Sequence, residues 1–299
     1  MLDFGEISIN DKELFDKYII QGNPQESELT FTNMFMWRKY YKFRYAVTAG
    51  FLCVVSAPEQ GTPFAFAPIG SAGRDSFIEA VEEIREVFNL KGWSLEFKRV
   101  GENRLPYFEG VLNLSGNPVL DRDNSDYLYL AEELTNLTGK RFDGKRNHIN
   151  RFKRKHEFEY VNIDGSNLEE CFRIMDEWCA ERDCEEHRGL YCEKLANFEL
   201  LENYGRLGCR GALIRVDGKY EAFTVGEMLN DDTAVIHIEK ANGRVHGLYT
   251  LVNQQFCANE WQNAMYINRE QDLGIEGLRK AKLSYNPVKI VNKYTIKFA

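Results

Sequence analysis

The sequence predicts an α/β chain of the α+β kind: two domains, each a mixed, mostly antiparallel sheet flanked by helices. Three observations predict this. Segments that alternate every second residue interleave with segments of 3.6-residue period along the whole chain. The order in residues 157–299, β-α-α-β-β-β-α-β-α-β, is echoed by α-α-β-β-β-α-β in the first half, as expected of one unit present twice. The 299 residues are also about twice an ordinary domain, and no Pro/Gly/Ser-rich linker divides them. The expected division is an N-terminal domain at 1–139, a basic connecting helix at 140–156 and a C-terminal domain at 157–299.

Taken in order, Asn10 and Glu13 resemble a capping box for a helix to Ile20. A second helix is expected over 30–40, where the Met34-Phe-Met-Trp37 run reads as a buried face rather than a lipid anchor. Strands follow at 43–48, 51–56 and 63–67, then a helix over 75–88 and a strand over 93–99. In the second half, 158–163 alternates as a strand. Asn167 starts a helix to Arg182 whose apolar stripe includes Leu168, Cys171, Met175 and Cys179. Gly189 introduces another helix. Three strands at 211–216, 220–229 and 233–239 are joined through Asp217-Gly218 and Asn230–Asp232, which is hairpin chemistry. A helix over 247–258, a strand over 264–268, a helix over 275–285 and a last strand over 288–298 complete the chain.

Composition narrows the function. Apolar residues at 43% and charged residues at 28% exclude wholesale disorder. No apolar run approaches the roughly 20 residues that cross a bilayer, and the acidic, polar N-terminus is not a secretory signal, so the expected location is cytoplasmic. The net charge is −8, yet residues 140–156 hold eight Lys/Arg against Asp143 alone. Such a patch suits one anionic partner at one place. The seven cysteines lack regular spacing and are expected to be reduced thiols. Cys179, Cys184, His187 and Cys192 lie close in sequence, but their spacing is not a common zinc pattern, and no metal is expected. Phosphate-loop, nucleophile-elbow and H-E-x-x-H signatures are absent from the sequence.

The polar residues with chemical promise lie late in the chain. Period two sets His237 and Glu239 on one face of a strand, a candidate base with an orienting carboxylate. Lys240 follows them, and Glu227 lies near the end of the hairpin partner. Asn268-Arg269-Glu270-Gln271-Asp272 follows a strand, at the carboxyl end where α/β folds bind ligands. Arg269 suits a carboxylate or phosphate; Glu270 or Asp272 suits an amine. Glu227, His237, Glu239, Asn268, Arg269 and Asp272 are expected to line one cleft.

The repeated β-β-β-α-β-α-β order resembles the GNAT acyltransferase fold, in which a helix N-terminus receives the pyrophosphate of the acyl donor. Arg244 and Gly247 match that family's R/Q-x-x-G-x-G/A loop. Tyr249 stands where the pattern has a small residue, so weak or no coenzyme A binding is expected. Tyr285 lies where many GNAT enzymes place the tyrosine that protonates the leaving group. More of the chain is similar to a bacterial family of unknown function related to the C-terminal domain of phosphatidylglycerol lysyltransferases. That group is tandem GNAT-like and similar to Fem-type aminoacyltransferases. The strings carrying the resemblance include TFTNMFMWR at 30–38, GKRNHINR at 144–151, AFTVGE at 222–227 and YINREQDLG at 266–274. It implies an acyl- or aminoacyltransferase with a charged tRNA or acyl-CoA donor and an amine or hydroxyl acceptor, a small molecule or a lipid head group. The alternative it leaves is a non-catalytic ligand-binding or regulatory protein on the same scaffold. By this reading Glu227, His237, Glu239, Asp272 and Tyr285 are catalytic. Lys240, Arg244, Gly247, Asn268, Arg269 and Glu270 bind substrate, with Lys145 and Arg146 of the basic stretch meeting tRNA.

Overall fold

A computed structural model describes residues 2–58, 61–111 and 114–298. Two compact units emerge. Unit 1 comprises Met1–Asp126, Gln271–Glu276 and Ile290–Ala299; unit 2 comprises Tyr127–Glu270 and Gly277–Lys289. This division replaces the expected 1–139, 140–156 and 157–299.

Unit 1 is built on a seven-stranded sheet. Its spatial order is Gly5–Glu6, Phe43–Thr48, Phe51–Ser56, Phe64–Ala65, Glu96–Gly101, Lys293–Lys297 and Val119–Leu120. All neighbours are antiparallel except Phe64–Ala65 with Glu96–Gly101. The helix Arg74–Leu90 carries Phe77, Ala80, Val81, Ile84, Val87 and Phe88 at helical spacing. That stripe packs with Phe51, Cys53 and Phe97 of the sheet in one core cluster. Each Phe, Val and Ile among them contributes about 1.5–3 kcal/mol by leaving water. The helix Phe31–Tyr41 buries Met34, Phe35 and Met36, as its apolar run predicts. Its N-cap is Thr30, whose hydroxyl accepts from the Asn33 N–H at 3.0 Å. The first capping box, in contrast, forms at Ser8 and Asp11 rather than Asn10 and Glu13. Ser8 has the β-region backbone that an N-cap requires, and Asn10 already lies within the first turn.

Unit 2 repeats the plan. Its order is Lys289–Val291, Asp126–Leu130, Tyr266–Asn268, Thr233–Ala241, Lys219–Met228, Arg210–Val216 and Phe158–Asn162. An antiparallel meander again meets one parallel neighbour, Thr233–Ala241 with Tyr266–Asn268, and then an antiparallel strand. The strand beyond the parallel pair comes from elsewhere in the sequence in both sheets. Unit 1 takes Lys293–Lys297 from the C-terminus, and unit 2 takes the 126–130 strand from the first half. The expected single strand over 288–298 is therefore two, one in each sheet. The basic stretch is likewise not a connector. Its helix, Asp143–Lys153, belongs to unit 2 and buries Ile149 and Phe152 with Leu248, Leu251 and Val252 of the helix Leu248–Glu260.

Cys179 and Cys184 form a disulfide, which corrects the expectation of seven reduced thiols. The helix Leu168–Ala180 stops before Arg182, and Asp183 turns with φ 48°. That turn brings the two Cα atoms to 5.1 Å, within disulfide reach. Among the described residues no cluster of three or more His, Cys, Asp or Glu is placed to hold a metal. No described helix is long and apolar enough to cross a membrane.

Candidate active site in unit 2

The site begins where backbone pairing ends. Thr233–Ala241 and Tyr266–Asn268 run together for three rungs, Thr233 with Tyr266, Ala234 with Ile267 and Val235 with Asn268. Past Val235 the longer strand continues to Ala241 without a rung to that neighbour. Pairing ends there, and alternation sends His237 and Glu239 to the same side of the strand, facing the parting between the strands (the groove). Side chains bridge the groove where backbone no longer does. His237 Nδ1 lies 3.1 Å from Glu270 Oε1, and Arg269 Nη2 donates to Glu239 Oε1 at 2.9 Å.

His237 has no exposed side-chain surface, and its Nε2 is 2.9 Å from Glu227 Oε1 on the adjacent strand. Burial disfavours its charge, but the hydrogen bonds and charges of Glu227 and Glu270 prevail and raise the imidazole to about 9. It is therefore an imidazolium at neutral pH with both nitrogens engaged. It does not pair with Glu239; it ties Glu227 to Glu270 as a brace across the strands. Glu227 reaches it across a bulge between Val225 and Gly226. Gly226 is required there, because a Cβ would sit 2.4 Å from the Val235 carbonyl.

Arg269 is the centre of the second bridge. Its guanidinium carbon lies 4.7 Å from the Tyr285 ring centroid and 5.9 Å from that of Tyr129. Opposing desolvation, the Glu239 charge holds its pKa well above the usual guanidinium value. Asn253, from the helix Leu248–Glu260, donates to Glu239 Oε2 at 3.3 Å. Two buried atoms beside this carboxylate, Arg269 Nη1 and Asn253 Oδ1, have no hydrogen-bond partner. One is a donor and one an acceptor, an arrangement that a polar ligand satisfies. Tyr285 is 7% exposed, and burial raises its phenol against the pull of Arg269. Lys145 Nζ sits 3.6 Å from the Tyr285 ring centroid and donates to Ser284 Oγ at 2.7 Å. Burial and the Arg269 charge lower that ammonium to about 8.

Thus Glu227, His237, Glu239, Arg269, Glu270, Tyr285 and Lys145 come together. Asn268 is fully buried and acts from below: its Oδ1 accepts from the Glu270 N–H at 2.8 Å, fixing Glu270 at φ 56°. Other expected members stand apart. Asp272 belongs to unit 1, where its carboxylate caps Gly274 N at 2.8 Å and faces Arg122 at 3.3 Å. Lys240 points to the opposite side of its strand, 2.5 Å from Glu193 and 3.5 Å from the Trp178 ring centroid. Arg146 binds the carbonyls of Leu137 and Gly139. Arg244 is exposed and pairs with Glu181 at 2.9 Å. Gly247, at φ 89°, has the His148 carbonyl packed against it, 2.7 Å from where a Cβ would lie. The Leu248 N–H is spent on the Val245 carbonyl. Tyr249 turns away, its hydroxyl accepting from Trp178 Nε1 at 3.0 Å. Asn253 and Tyr129 were not anticipated. Asn253 was visible as a polar residue among Leu251, Val252 and Phe256; Tyr129 carried no signal.

A solved protein of unknown function from Bacteroides thetaiotaomicron is 33% identical and superposes with a TM-score of 0.93 over 100% of both chains. The C-terminal domain of a putative lysylphosphatidylglycerol synthetase from Agrobacterium fabrum is 15% identical, with a TM-score of 0.67 over 97% of this chain and 92% of that one. A tandem GNAT protein from the clavulanic acid pathway shares the fold at 9% identity, with a TM-score of 0.53 over 100% of this chain and 98% of its own. The fold is thus tandem GNAT-like. The family model for the C-terminal region of phosphatidylglycerol lysyltransferase matches residues 21–297, and the chain belongs to that family.

Proposed function

We propose that this chain transfers an acyl or aminoacyl group from an activated donor to an amine or hydroxyl acceptor in the groove of unit 2. The observation that carries the reading is Glu239 flanked by two unpartnered buried atoms, Arg269 Nη1 and Asn253 Oδ1. Arg269 Nη1 is suited to the carbonyl oxygen as it gains charge during attack. Asn253 Oδ1 is suited to the N–H of a neutral amine or the O–H of a hydroxyl. Glu239 takes the proton that the acceptor loses as its N or O bonds to the carbonyl carbon. The carbon–oxygen bond to the donor then breaks, and Tyr285, kept protonated by burial, supplies the leaving oxygen's proton. His237 positions Glu270 and, through the backbone, Arg269.

Charged tRNA is the proposed donor. The packing of His148 on Gly247 argues against coenzyme A at the usual helix N-terminus. The basic stretch at 140–156, with Lys145 reaching the site, supports a polyanionic donor. A small molecule or lipid head group is the proposed acceptor. The full engagement of His237 favours one second reading, a binding protein without turnover.

The test follows ester loss from a panel of aminoacyl-tRNAs and thioester loss from acetyl-CoA, each with phosphatidylglycerol vesicles or free amino acids as acceptor and with wild type and Glu239→Gln. The proposal expects tRNA ester loss that falls about 100-fold or more in the variant. Thermal stabilisation by ligand without turnover supports the second reading. Turnover of acetyl-CoA alone overturns the donor assignment.

A further inference from the structure

Unit 1 carries an open pocket of about 490 Å³ that has no part in the chemistry above. Its size is that of small-molecule sites. The wall is made by a break in strand alternation. In Glu96–Gly101, Phe97 and Val100 enter the core, while Glu96 faces the pocket. The register against Lys293–Lys297 slips between Tyr294, opposite Val100, and Ile296, opposite Phe97. Lys98 and Arg99 therefore oppose Thr295 alone, a bulge, and Arg99 adopts φ 58°. A left-handed backbone at a non-glycine residue is costly and collects at ligand sites. Its effect here is to aim two consecutive cations, Lys98 and Arg99, into one pocket.

Arg99 is also held in place. Its Nη2 donates to the Tyr41 hydroxyl at 3.0 Å, and its Nε lies 3.4 Å from Glu28, which is shared with buried Lys293. Its guanidinium carbon is 5.9 Å from the Phe64 ring centroid. Lys297 enters from the neighbouring strand, and Glu96 lies between the lysines, 3.3 Å from Lys98 and 3.2 Å from Lys297. Asp121, also in the wall, is tied by Asn124. Lys98, Arg99 and Lys297 thus face Glu96 and Asp121 in the wall, with Glu28 behind Arg99 and already shared with Lys293. The rim is apolar, with Val119 59% and Leu120 47% exposed.

We propose that this pocket is a second ligand site, for a small organic anion. Lys98, Arg99 and Lys297 hold its charged end, and Phe64 with Val119 and Leu120 receives its apolar part. The site goes beyond acyl transfer in unit 2 and stands or falls without it.

Phenyl phosphate is the probe, titrated calorimetrically into the full chain beside inorganic phosphate and phenol. The expected result is saturable binding of one phenyl phosphate, at least tenfold tighter than inorganic phosphate, with no measurable binding of phenol. Arg99→Ala strips Glu28 of a counter-charge and threatens the fold. The discriminating variant is therefore Lys98→Gln with Lys297→Gln, which is expected to weaken phenyl phosphate at least tenfold while melting within a few degrees of wild type, because both lysines are partly exposed and such pairs with Glu96 contribute little to stability. Absence of saturable binding overturns the proposal, as does binding unchanged in the double variant.

Discussion

In unit 1 the charges under the sheet are sealed: Lys293 and Asp126 have no exposed side-chain surface, and Glu28 has 3%. Lys293 spends its donors on Glu28, Asp126 and Ser27. In unit 2 the carboxylates keep a margin of solvent, 12% for Glu227, 14% for Glu239 and 22% for Glu270, and they bridge a gap between strands. Both sheets share one plan, down to the strand each takes from a distant part of the sequence. The difference lies in where the ion pairs sit. Those of unit 1 close a core, so removing one partner exposes the cost of burying the other. Those of unit 2 replace missing backbone rungs at the edge of a groove, where a ligand can compete for them.

The largest expected effect tests the sealed cluster. Lys293→Met removes the ammonium that Glu28 and Asp126 share and leaves Glu28 with Arg99 alone, and chemical denaturation should show a loss of about 3–5 kcal/mol. A loss below about 1 kcal/mol would mean that the cluster is not buried as described. Arg269→Ala also strands a carboxylate, Glu239, so a stability loss accompanies any loss of function. The sharper probe replaces both partners, Arg269→Met with Glu239→Met. Stability should return to within about 1.5 kcal/mol of wild type, while transfer stays abolished. Recovery of transfer in the double variant would make the pair structural.

The brace at His237 predicts a pH signature. Its folded pKa, about 9, lies above the ordinary 6.5. The stabilisation is therefore complete below about pH 6.5 and is lost as pH rises through 9. Wild type should outperform His237→Gln by an amount that shrinks across that window, on the order of 3 kcal/mol in all. A constant gap would show that the imidazole does not change its proton there. The smallest effect belongs to Tyr129→Phe, which removes the 2.8 Å bond from its hydroxyl to the Lys282 carbonyl. About 1 kcal/mol should be lost, with ligand affinity in the groove little changed.

Much of the fold is written locally. The helix Arg74–Leu90 and the strands Phe43–Thr48 and Phe51–Ser56 follow from spacing and turns, because burial on one face imposes a period. What was not legible depends on partners distant in sequence. The 126–130 strand, Asp-Tyr-Leu-Tyr-Leu, carries no polar alternation that marks a half-exposed strand. Its place beside Tyr266–Asn268 is set by pairing across more than a hundred residues. The site divides the same way. His237 and Glu239 follow from period two, and Arg269 from its position after a strand. Period two offers Glu239 as the partner of His237, but it lies two residues along the same strand, whereas Glu227 and Glu270 reach the imidazole from either side. Asp272 was grouped with Arg269 by nearness in sequence, yet the turn at Glu270 sends the chain into the other unit.

The most direct measurement of the central claim is the rate of ester loss from aminoacyl-tRNA with Arg269→Lys set against wild type, together with both melting temperatures. Lysine keeps the charge facing Glu239 but removes the second guanidinium nitrogen, the unpartnered Nη1. A drop of about tenfold or more in the rate with a nearly unchanged melting temperature is the predicted result. An unchanged rate would contradict the claim that the groove of unit 2 works through that atom.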